Sequence, residues 1–281
     1  MDTTNYYIAI DKVKLFYRSW IPERPKAIII LIHGAGEHSG RYTHISNYCM
    51  SQQMIVISPD LRGFGNSGGS RGHVHTFNEY LDDLHLLIQQ VCSIYPDVPI
   101  FLFGHSLGGL IVIRYVQEYA LQTNGIIVSS PAFKLRVQLP FMVKQILSAV
   151  SRFSPGLSVQ PTKWKRLADK FQILEPYLPK ERALQKDPLI TAQYTARWLT
   201  ELMRNGIQAL SEAYRFSFPL FCVYDHKDPI VHPPSIQLFL DSIAIDDKNL
   251  LSFNDGFHHP WHAHYRDKAI DHLMVWLHQR I

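Results

Sequence analysis

The pentapeptide Gly104-His105-Ser106-Leu107-Gly108 places a hydroxyl group between two glycines in the middle of the chain. It follows the apolar run Ile100–Phe103 and precedes the apolar stretch Leu110–Ala120, so a strand is expected to end here and a helix to begin. A sharp turn at this point would lift the Ser106 hydroxyl above a sheet edge and aim the Leu107 N–H at a developing negative charge. Ser106 is therefore the candidate nucleophile. The alternative is a glycine-rich turn with a capping serine.

A serine hydroxyl is a poor nucleophile at neutral pH and needs a base that a carboxylate holds in place. Two aspartates, Asp225 and Asp228, follow the predicted strand Leu220–Tyr224. Asp225 adjoins the strand end and is expected to shape the turn through its side chain. Asp228 lies farther into the loop, where a carboxylate can lean over the sheet, and we favour it as the acid.

The candidate base is expected after the next predicted strand, Leu250–Phe253, because the partners follow in the order serine, aspartate, histidine. His258 comes after a turn and Gly256, and we favour it among the 15 histidines of the chain. Its rivals are three later residues: His259, His262 and His264.

Acyl transfer also needs two N–H donors about 3 Å from the developing oxyanion. Leu107 offers one of them. The second is expected from the loop after Ala27–Ile32, where Ala35 lies between Gly34 and Gly36. We assign the Ala35 N–H to this role, and a plain glycine turn is the alternative.

Short apolar runs separated by turn signals predict eight strands. Ala27–Ile32 has no polar alternation, which is typical of a strand buried on both faces of a parallel sheet, and the later runs are of the same kind. Helical patterns between the runs predict an α/β fold of three layers in a single domain, residues 1–281. The predicted strands are a hairpin of Tyr7–Ile10 and Leu15–Trp20, then Ala27–Ile32, Met54–Ser58, Ile100–Phe103, Gly125–Ser129, Leu220–Tyr224 and Leu250–Phe253.

Residues 131–196 contain no strand-like run and are predicted to form a helical cap inserted after the sixth strand. This segment carries 11 basic and four acidic side chains. A helix predicted over Phe141–Phe153 has an apolar face that includes Phe141, Ile146 and Val150. That face would contact lipid or line an acyl tunnel; the alternative is a helix packed on the core with a solvated basic rim. The basic side chains expected at anionic headgroups are Lys144, Arg152, Lys163, Lys165 and Arg166.

The composition excludes several other classes of protein. With 46% hydrophobic side chains the chain can bury a core, and a formal charge of +4 is too mild to indicate nucleic acid. No apolar run approaches the ~20 residues that span a bilayer, and the first residues show no signal-peptide pattern. Three separated cysteines argue against a disulfide or zinc scaffold. We expect a cytoplasmic protein whose contact with membranes, if any, is peripheral.

Two segments carry a family resemblance, HGAGEHSGRY at 33–42 and GHSLGG at 104–109. With residues 60–67 and 187–190, they resemble the monoacylglycerol lipase and lysophospholipase branch of the α/β-hydrolases. The resemblance implies an eight-stranded, mostly parallel sheet with a helical cap, and it implies neither cofactor nor metal. The roles it implies are nucleophile for Ser106, acid for Asp228, base for His258 and oxyanion donors for Ala35 and Leu107. The family commonly has Glu or Val after the base, where this chain has His259.

These observations predict a serine hydrolase for carboxylic esters of lipids with one acyl chain. Monoacylglycerol is the first substrate expected, lysophospholipid the second, and a short-chain ester or thioester the third. The alternative is a binding protein of the same fold that has lost its chemistry, although such proteins usually lack one of the three triad residue types. The expected partner is a small lipid ester, and no nucleic acid is expected.

Overall fold

The computed structural model describes residues 2–119, 123–159 and 187–281. The strands are β1 (Asp2–Ile8), β2 (Lys14–Trp20), β3 (Ala27–Ile32), β4 (Met54–Pro59), β5 (Ile100–His105), β6 (Gly125–Ser129), β7 (Ser158–Val159), β8 (Tyr194–Thr195), β9 (Leu220–Asp225) and β10 (Lys248–Phe253). The main sheet has eight strands in the order β1-β2-β4-β3-β5-β6-β9-β10. The pairs β1–β2 and β2–β4 are antiparallel and the other neighbours are parallel, which confirms the predicted fold class.

Helices cover both faces of this sheet. They are α1 (Thr43–Ser51), α2 (Asn78–Ile94), α3 (Leu107–Glu118), α4 (Phe141–Phe153), α5 (Ala196–Ser211), α6 (Pro233–Ser242) and α7 (Arg266–His278). Successive residues of β3 point to opposite faces: Ile28 and Ile30 belong to the core beneath α2, α3, α5 and α6, whereas Ile29 and Leu31 belong to the core beneath α1 and α7. The apolar side chains of β3 are therefore buried in two hydrophobic cores, one on each face of the sheet, as expected for a central parallel strand.

The last strand differs from the expectation that it is buried on both faces. β10 lies at the end of the sheet beside β9, and Leu250 is 48% exposed. An apolar run predicts strand formation from local pattern alone, but the position of a strand in the sheet is a long-range property. The prediction of burial was therefore wrong for Leu250–Phe253.

Several other predicted bounds also differ. β1 runs from Asp2 to Ile8 rather than from Tyr7 to Ile10. It ends before Ile10 because the Lys12 N–H donates to the carbonyl oxygen of Ala9 and closes a turn with Lys12 at φ 68°. Helix α3 begins at Leu107 rather than Leu110, so it starts directly after the candidate nucleophile.

The insertion after β6 contains the predicted helix α4 with the predicted bounds. It also contains two short strands where none is predicted, because β7 and β8 pair antiparallel through Ser158 and Thr195. This pairing joins the middle of the insertion to its last residues, and local sequence pattern carries no information about such a contact. The predicted headgroup contacts Lys163, Lys165 and Arg166 lie outside the described residues.

The described chain shows neither a disulfide nor a membrane span. All three cysteines are free thiols, and Cys49 and Cys222 are buried. Within the described ranges, no helix combines the length and the hydropathy needed to cross a bilayer.

Helix α5 packs closely against the backbone that follows β6. A Cβ on Gly206 would lie 2.0 Å from the carbonyl oxygen of Phe133. In the same segment, the Ala132 N–H donates to the carbonyl oxygen of Ser106 at 3.1 Å. The contact at Gly206 therefore holds in place a segment that is bonded to the candidate nucleophile.

We expect Gly206→Ala to lower the free energy of unfolding by about 1–3 kcal/mol, because helix and loop must separate to admit the methyl group. Urea denaturation measures this change. Gly156→Ala is the matched control, since a Cβ there meets nothing within 4 Å. Its stability should stay within about 0.5 kcal/mol of the parent. Equal stabilities of the two variants would contradict the close packing.

Candidate active site

Ser106 occupies the turn between β5 and α3 with a strained backbone. Its φ is 51° and its ψ is −110°, a region that costs a residue with a side chain about 1–3 kcal/mol. A Cβ on Gly108 would lie 2.2 Å from the carbonyl oxygen of Ile32, and one on Gly104 would lie 2.2 Å from that of Gly108. Gly108 therefore lets the helix begin close to β3, and Gly104 lets the end of β5 lie against the first turn of that helix.

Three side chains form a hydrogen-bonded series at the carboxyl end of the sheet. Ser106 Oγ lies 2.9 Å from His258 Nε2, and His258 Nδ1 lies 2.7 Å from Asp228 Oδ2. Because an ionised carboxylate can only accept, Nδ1 carries the ring proton and Nε2 is left to accept from the serine hydroxyl. The structure thus brings together the three residues that the sequence singles out as nucleophile, base and acid.

Asp228 is fully buried, and backbone groups hold its carboxylate in place. Its Oδ1 accepts from the N–H groups of Ile230 and Val231 at 2.7 and 3.0 Å, which leaves Oδ2 for the imidazole. Arg136 Nη1 donates to the Asp228 carbonyl oxygen at 2.8 Å. Burial by itself lowers the pKa of His258, but the charge and hydrogen bond of Asp228 outweigh it, and the net effect raises that pKa.

Asp225, the competing aspartate, fixes the loop that carries His258. Its Oδ1 accepts from the Lys227 N–H at 2.8 Å. Its Oδ2 accepts from three consecutive N–H groups, those of Asp255, Gly256 and Phe257. Burial raises the pKa of Asp225, but the backbone donors lower it by more, so the net shift of the pKa is downward. Asp225 therefore shapes the turn, as its position at the strand end predicts.

The rival histidines take other positions. The ring of His259 lies between those of His105 and His262, with centroid distances of 4.0 and 3.9 Å. His262 Nε2 donates to the carbonyl oxygen of Arg41 at 3.1 Å. His264 has a side chain that is 66% exposed.

The loop after β3 leaves the N–H of Ala35 free. The Gly34 N–H donates to Glu37 Oε2 at 3.1 Å. His33 Nε2 accepts from the Leu61 N–H at 2.9 Å, so Nδ1 carries the proton and donates to the Gly34 carbonyl oxygen at 2.7 Å. The C=O and N–H of a trans peptide point in opposite directions, so this bond also orients the Ala35 N–H. Among the described residues, neither Ala35 nor Leu107 has a hydrogen-bond acceptor for its backbone N–H.

The last part of the insertion holds the same loop from the other side. His38 Nδ1 accepts from the Gly40 N–H, so Nε2 carries the proton and donates to Asp187 Oδ2 at 2.9 Å. The Thr191 N–H donates to the carbonyl oxygen of Gly36 at 3.0 Å. Residues on both sides of Ala35 are thus fixed by contacts distant in sequence.

Sequence reasoning missed the role of Glu37, which lies in the same loop after β3. Its Oε2 also accepts from Tyr42 Oη at 2.8 Å, and its Oε1 lies 3.2 Å from Arg41 Nε and 3.3 Å from His259 Nε2. Burial raises the pKa of Glu37, but the nearby histidines and Arg41 outweigh it and hold the pKa well below its usual range. The available signal was a carboxylate inside a glycine-rich turn, and it does not reveal the partners.

One group of side chains near the triad has the donor types of a metal site. Within the described chain, Glu37, His105 and His259 form the one set of three His, Cys or acidic residues whose donor atoms all lie within 4.8 Å of one another. None of the three belongs to the predicted triad.

The apolar face predicted on α4 is largely open to solvent. Phe141 is 71% exposed and Ile146 is 61% exposed, whereas Val150 is half-buried. Lys144 and Arg152 on the same helix are also exposed.

A family model described as serine aminopeptidase, S33 (Hydrolase_4) matches residues 23–263. The chain belongs to this family. This Hydrolase_4 member is 23% identical to the monoacylglycerol lipase of Mycolicibacterium smegmatis over 273 residues. The aligned residues cover 96% of this chain and 95% of that relative. The chain is 28% identical over 243 residues to phospholipase YtpA of Bacillus subtilis, with 85% and 90% covered.

A solved structure agrees with these relatives. The crystal structure of the Paleococcus ferrophilus monoacylglycerol lipase superposes with a TM-score of 0.81 at 25% identity, over 95% of this chain and 99% of that one. The resemblance to the monoacylglycerol lipase branch of the α/β-hydrolases is confirmed. The expected enzyme class, a carboxylic ester hydrolase, is confirmed with it.

Proposed function

We propose that this protein hydrolyses carboxylic esters of lipids that carry one fatty acyl chain, and that monoacylglycerol is its substrate. The observation that carries the proposal is the position of His258, with Nε2 2.9 Å from Ser106 Oγ and Nδ1 2.7 Å from Asp228 Oδ2. The names of the Mycolicibacterium smegmatis and Paleococcus ferrophilus relatives support the choice of substrate.

In the proposed reaction, His258 Nε2 accepts the hydroxyl proton of Ser106 as Oγ attacks the ester carbonyl carbon. The N–H groups of Ala35 and Leu107 stabilise the negative charge on the carbonyl oxygen. His258 then donates the proton to the leaving alcohol, and the same imidazole activates a water molecule that releases the fatty acid from Ser106. Asp228 keeps the ring in the tautomer with Nδ1 protonated. These steps require no metal and no organic cofactor.

We further propose that residues 131–196 form a cap and that α4 is its membrane-facing element in a cytoplasmic protein that contacts membranes peripherally. Phe141, Ile146 and Phe153 expose apolar area beside the cations of Lys144 and Arg152. An apolar helix face with flanking cations is typical of helices that lie in a lipid interface. The exposure of these side chains favours this proposal over a helix that packs its whole apolar face on the core.

A fluorophosphonate probe and a substrate panel test the main proposal. We expect the probe to label the wild-type protein and not Ser106→Ala, because only an activated serine reacts. Turnover should be fastest on monoacylglycerol, then lysophospholipid, then short p-nitrophenyl esters, with an aminoacyl p-nitroanilide slowest. An unlabelled wild-type protein would favour the binding-protein alternative. Labelling with faster turnover of another ester would keep the mechanism and replace the substrate.

The acid assignment is tested by exchanging each aspartate for asparagine. We expect Asp228→Asn to lower kcat by about 10⁴-fold, because an amide favours the wrong imidazole tautomer. Asp225→Asn should lower the melting temperature and reduce kcat less, because it weakens the loop and leaves the triad chemistry intact. Steady-state kinetics and thermal unfolding measure both effects. Full activity of Asp228→Asn alongside an inactive, folded Asp225→Asn would show that the assignment is reversed.

Vesicle co-sedimentation tests the role of α4. We expect binding to anionic phosphatidylglycerol vesicles that weakens as salt rises. Ile146→Ser should reduce the partition coefficient by about tenfold, since one apolar side chain no longer enters the lipid. Ile207→Ser on α5 is the matched control, because the two isoleucines are 61% and 60% exposed. Absence of binding, binding insensitive to salt, or equal losses in both variants would contradict the proposal.

A further inference from the structure

Glu37, His105 and His259 lie together beside the triad and are not used by the proposed reaction. Their donor atoms lie within 4.8 Å of one another. We infer that these three side chains form a binding site for a transition-metal cation of the zinc class, and that occupancy of the site inhibits the enzyme. The inhibitory part of this inference rests on the proposed function, whereas the binding part does not.

The spacing of the donors suits a small, imidazole-binding cation. Zinc binds nitrogen and carboxylate oxygen at about 2.0–2.2 Å, which places two ligands of a tetrahedral site roughly 3.4 Å apart. His259 Nε2 and Glu37 Oε1 are 3.3 Å apart. The donor on His105 lies within 4.8 Å of the other two, so closing the set needs a movement of at most about 1.4 Å. Two imidazoles and one carboxylate are a ligand set that zinc, cobalt and related divalent ions accept.

The two histidines are available as ligands. His105 Nδ1 lies 2.7 Å from Ser129 Oγ, which leaves Nε2 as the nitrogen that can coordinate. Trp261 Nε1 donates to the same hydroxyl at 2.8 Å and holds it in place. An outer hydrogen bond on the second ring nitrogen is the usual support of a metal-ligating histidine. Both ring nitrogens of His259 are buried, and its Nε2 faces Glu37 Oε1 at 3.3 Å in an ion-pair contact that a bound cation would replace.

The Glu37 carboxylate is also held in place by hydrogen bonds. Glu37 Oε2 accepts from the Gly34 N–H and from Tyr42 Oη, so Oε1 faces His259. Arg41 Nε lies 3.2 Å from the same Oε1, and this guanidinium must move aside for a divalent cation. A surface cavity is lined by Arg41, Tyr42, Trp261 and His262, and the His259 ring packs against the rings of Tyr42 and His262. The side chains of Glu37 and His259 are each 14% exposed, so an ion can reach them from solvent.

A cation at this position would act on the proposed reaction through charge. The ring centroids of His105 and His258 are 4.9 Å apart. Positive charge forms on His258 while it holds the serine proton, and a divalent ion so near opposes that charge. The ion would also bind Glu37, which holds the Gly34 N–H of the oxyanion loop. Occupancy should therefore slow turnover by at least about tenfold.

Metal titration of the full chain tests the binding part. Protein treated with a chelator and desalted is titrated with Zn²⁺ against a chromophoric chelator, and Co²⁺ supplies a visible spectrum that reports imidazole coordination. We expect one site in the wild-type protein. We expect His259→Gln and Glu37→Gln each to bind at least about tenfold more weakly. His278→Gln is the matched control, because it removes an exposed imidazole on α7 and should bind as the wild type does.

Ester hydrolysis with and without Zn²⁺ tests the inhibitory part. Wild type and His278→Gln should be slowed alike, and His259→Gln should require at least about tenfold more Zn²⁺ for the same effect. A wild-type protein that takes up no Zn²⁺ would overturn the site, as would variants at 259 and 37 that bind like wild type. Binding without inhibition would overturn the inhibitory part. Binding by a protein that hydrolyses no ester would keep the site and reject the proposed function.

Discussion

The close approach of helix α3 to strand β3 is the constraint on which the rest of the site depends. Only glycine at position 108 lets the helix begin against the Ile32 carbonyl oxygen. That early start forces Ser106 into a conformation with positive φ, at a cost of about 1–3 kcal/mol. Three backbone hydrogen bonds offset this cost, because the Ser106 N–H donates to Ser129 and its carbonyl oxygen accepts from Leu110 and Ala132. The turn is stable because sheet, helix and insertion all bond to it.

Much of this arrangement could be predicted from sequence, because its signals are local. Unbroken apolar runs indicate buried strands, and glycines on both sides of Ser106 indicate a sharp turn between strand and helix. The chain order of serine, aspartate and histidine indicated the loops after two late strands. Asp228 was then favoured because it lies farther into its loop than Asp225, and His258 because it follows a turn and Gly256. The structure brings these two side chains to Ser106, and their catalytic roles stay a proposal. Helix α4 was also predicted with its observed bounds, since its apolar periodicity lies within one segment.

What could not be predicted depends on contacts between distant segments. Leu250 is exposed because β10 is the edge strand of the sheet, and an apolar run does not reveal which strand lies at an edge. The strands β7 and β8 have two residues each and exist through their mutual pairing. Glu37 has three partners inside its own motif, Gly34, Arg41 and Tyr42, but its contact with His259 joins segments more than 200 residues apart and is invisible in that motif. The same holds for His33, whose ring orients a peptide only because Leu61 donates to it.

Asp225 anchors residues 255–257, so the position of the His258 imidazole does not depend on the side chain of the residue that follows it. Three N–H groups immediately before His258 are bonded to one carboxylate oxygen at the end of a core strand. These bonds fix the backbone relative to the sheet directly before the residue that carries the imidazole. The place of the imidazole therefore does not depend on which side chain follows it at position 259. This latitude explains how a second histidine can follow the first here without disturbing its alignment with the serine.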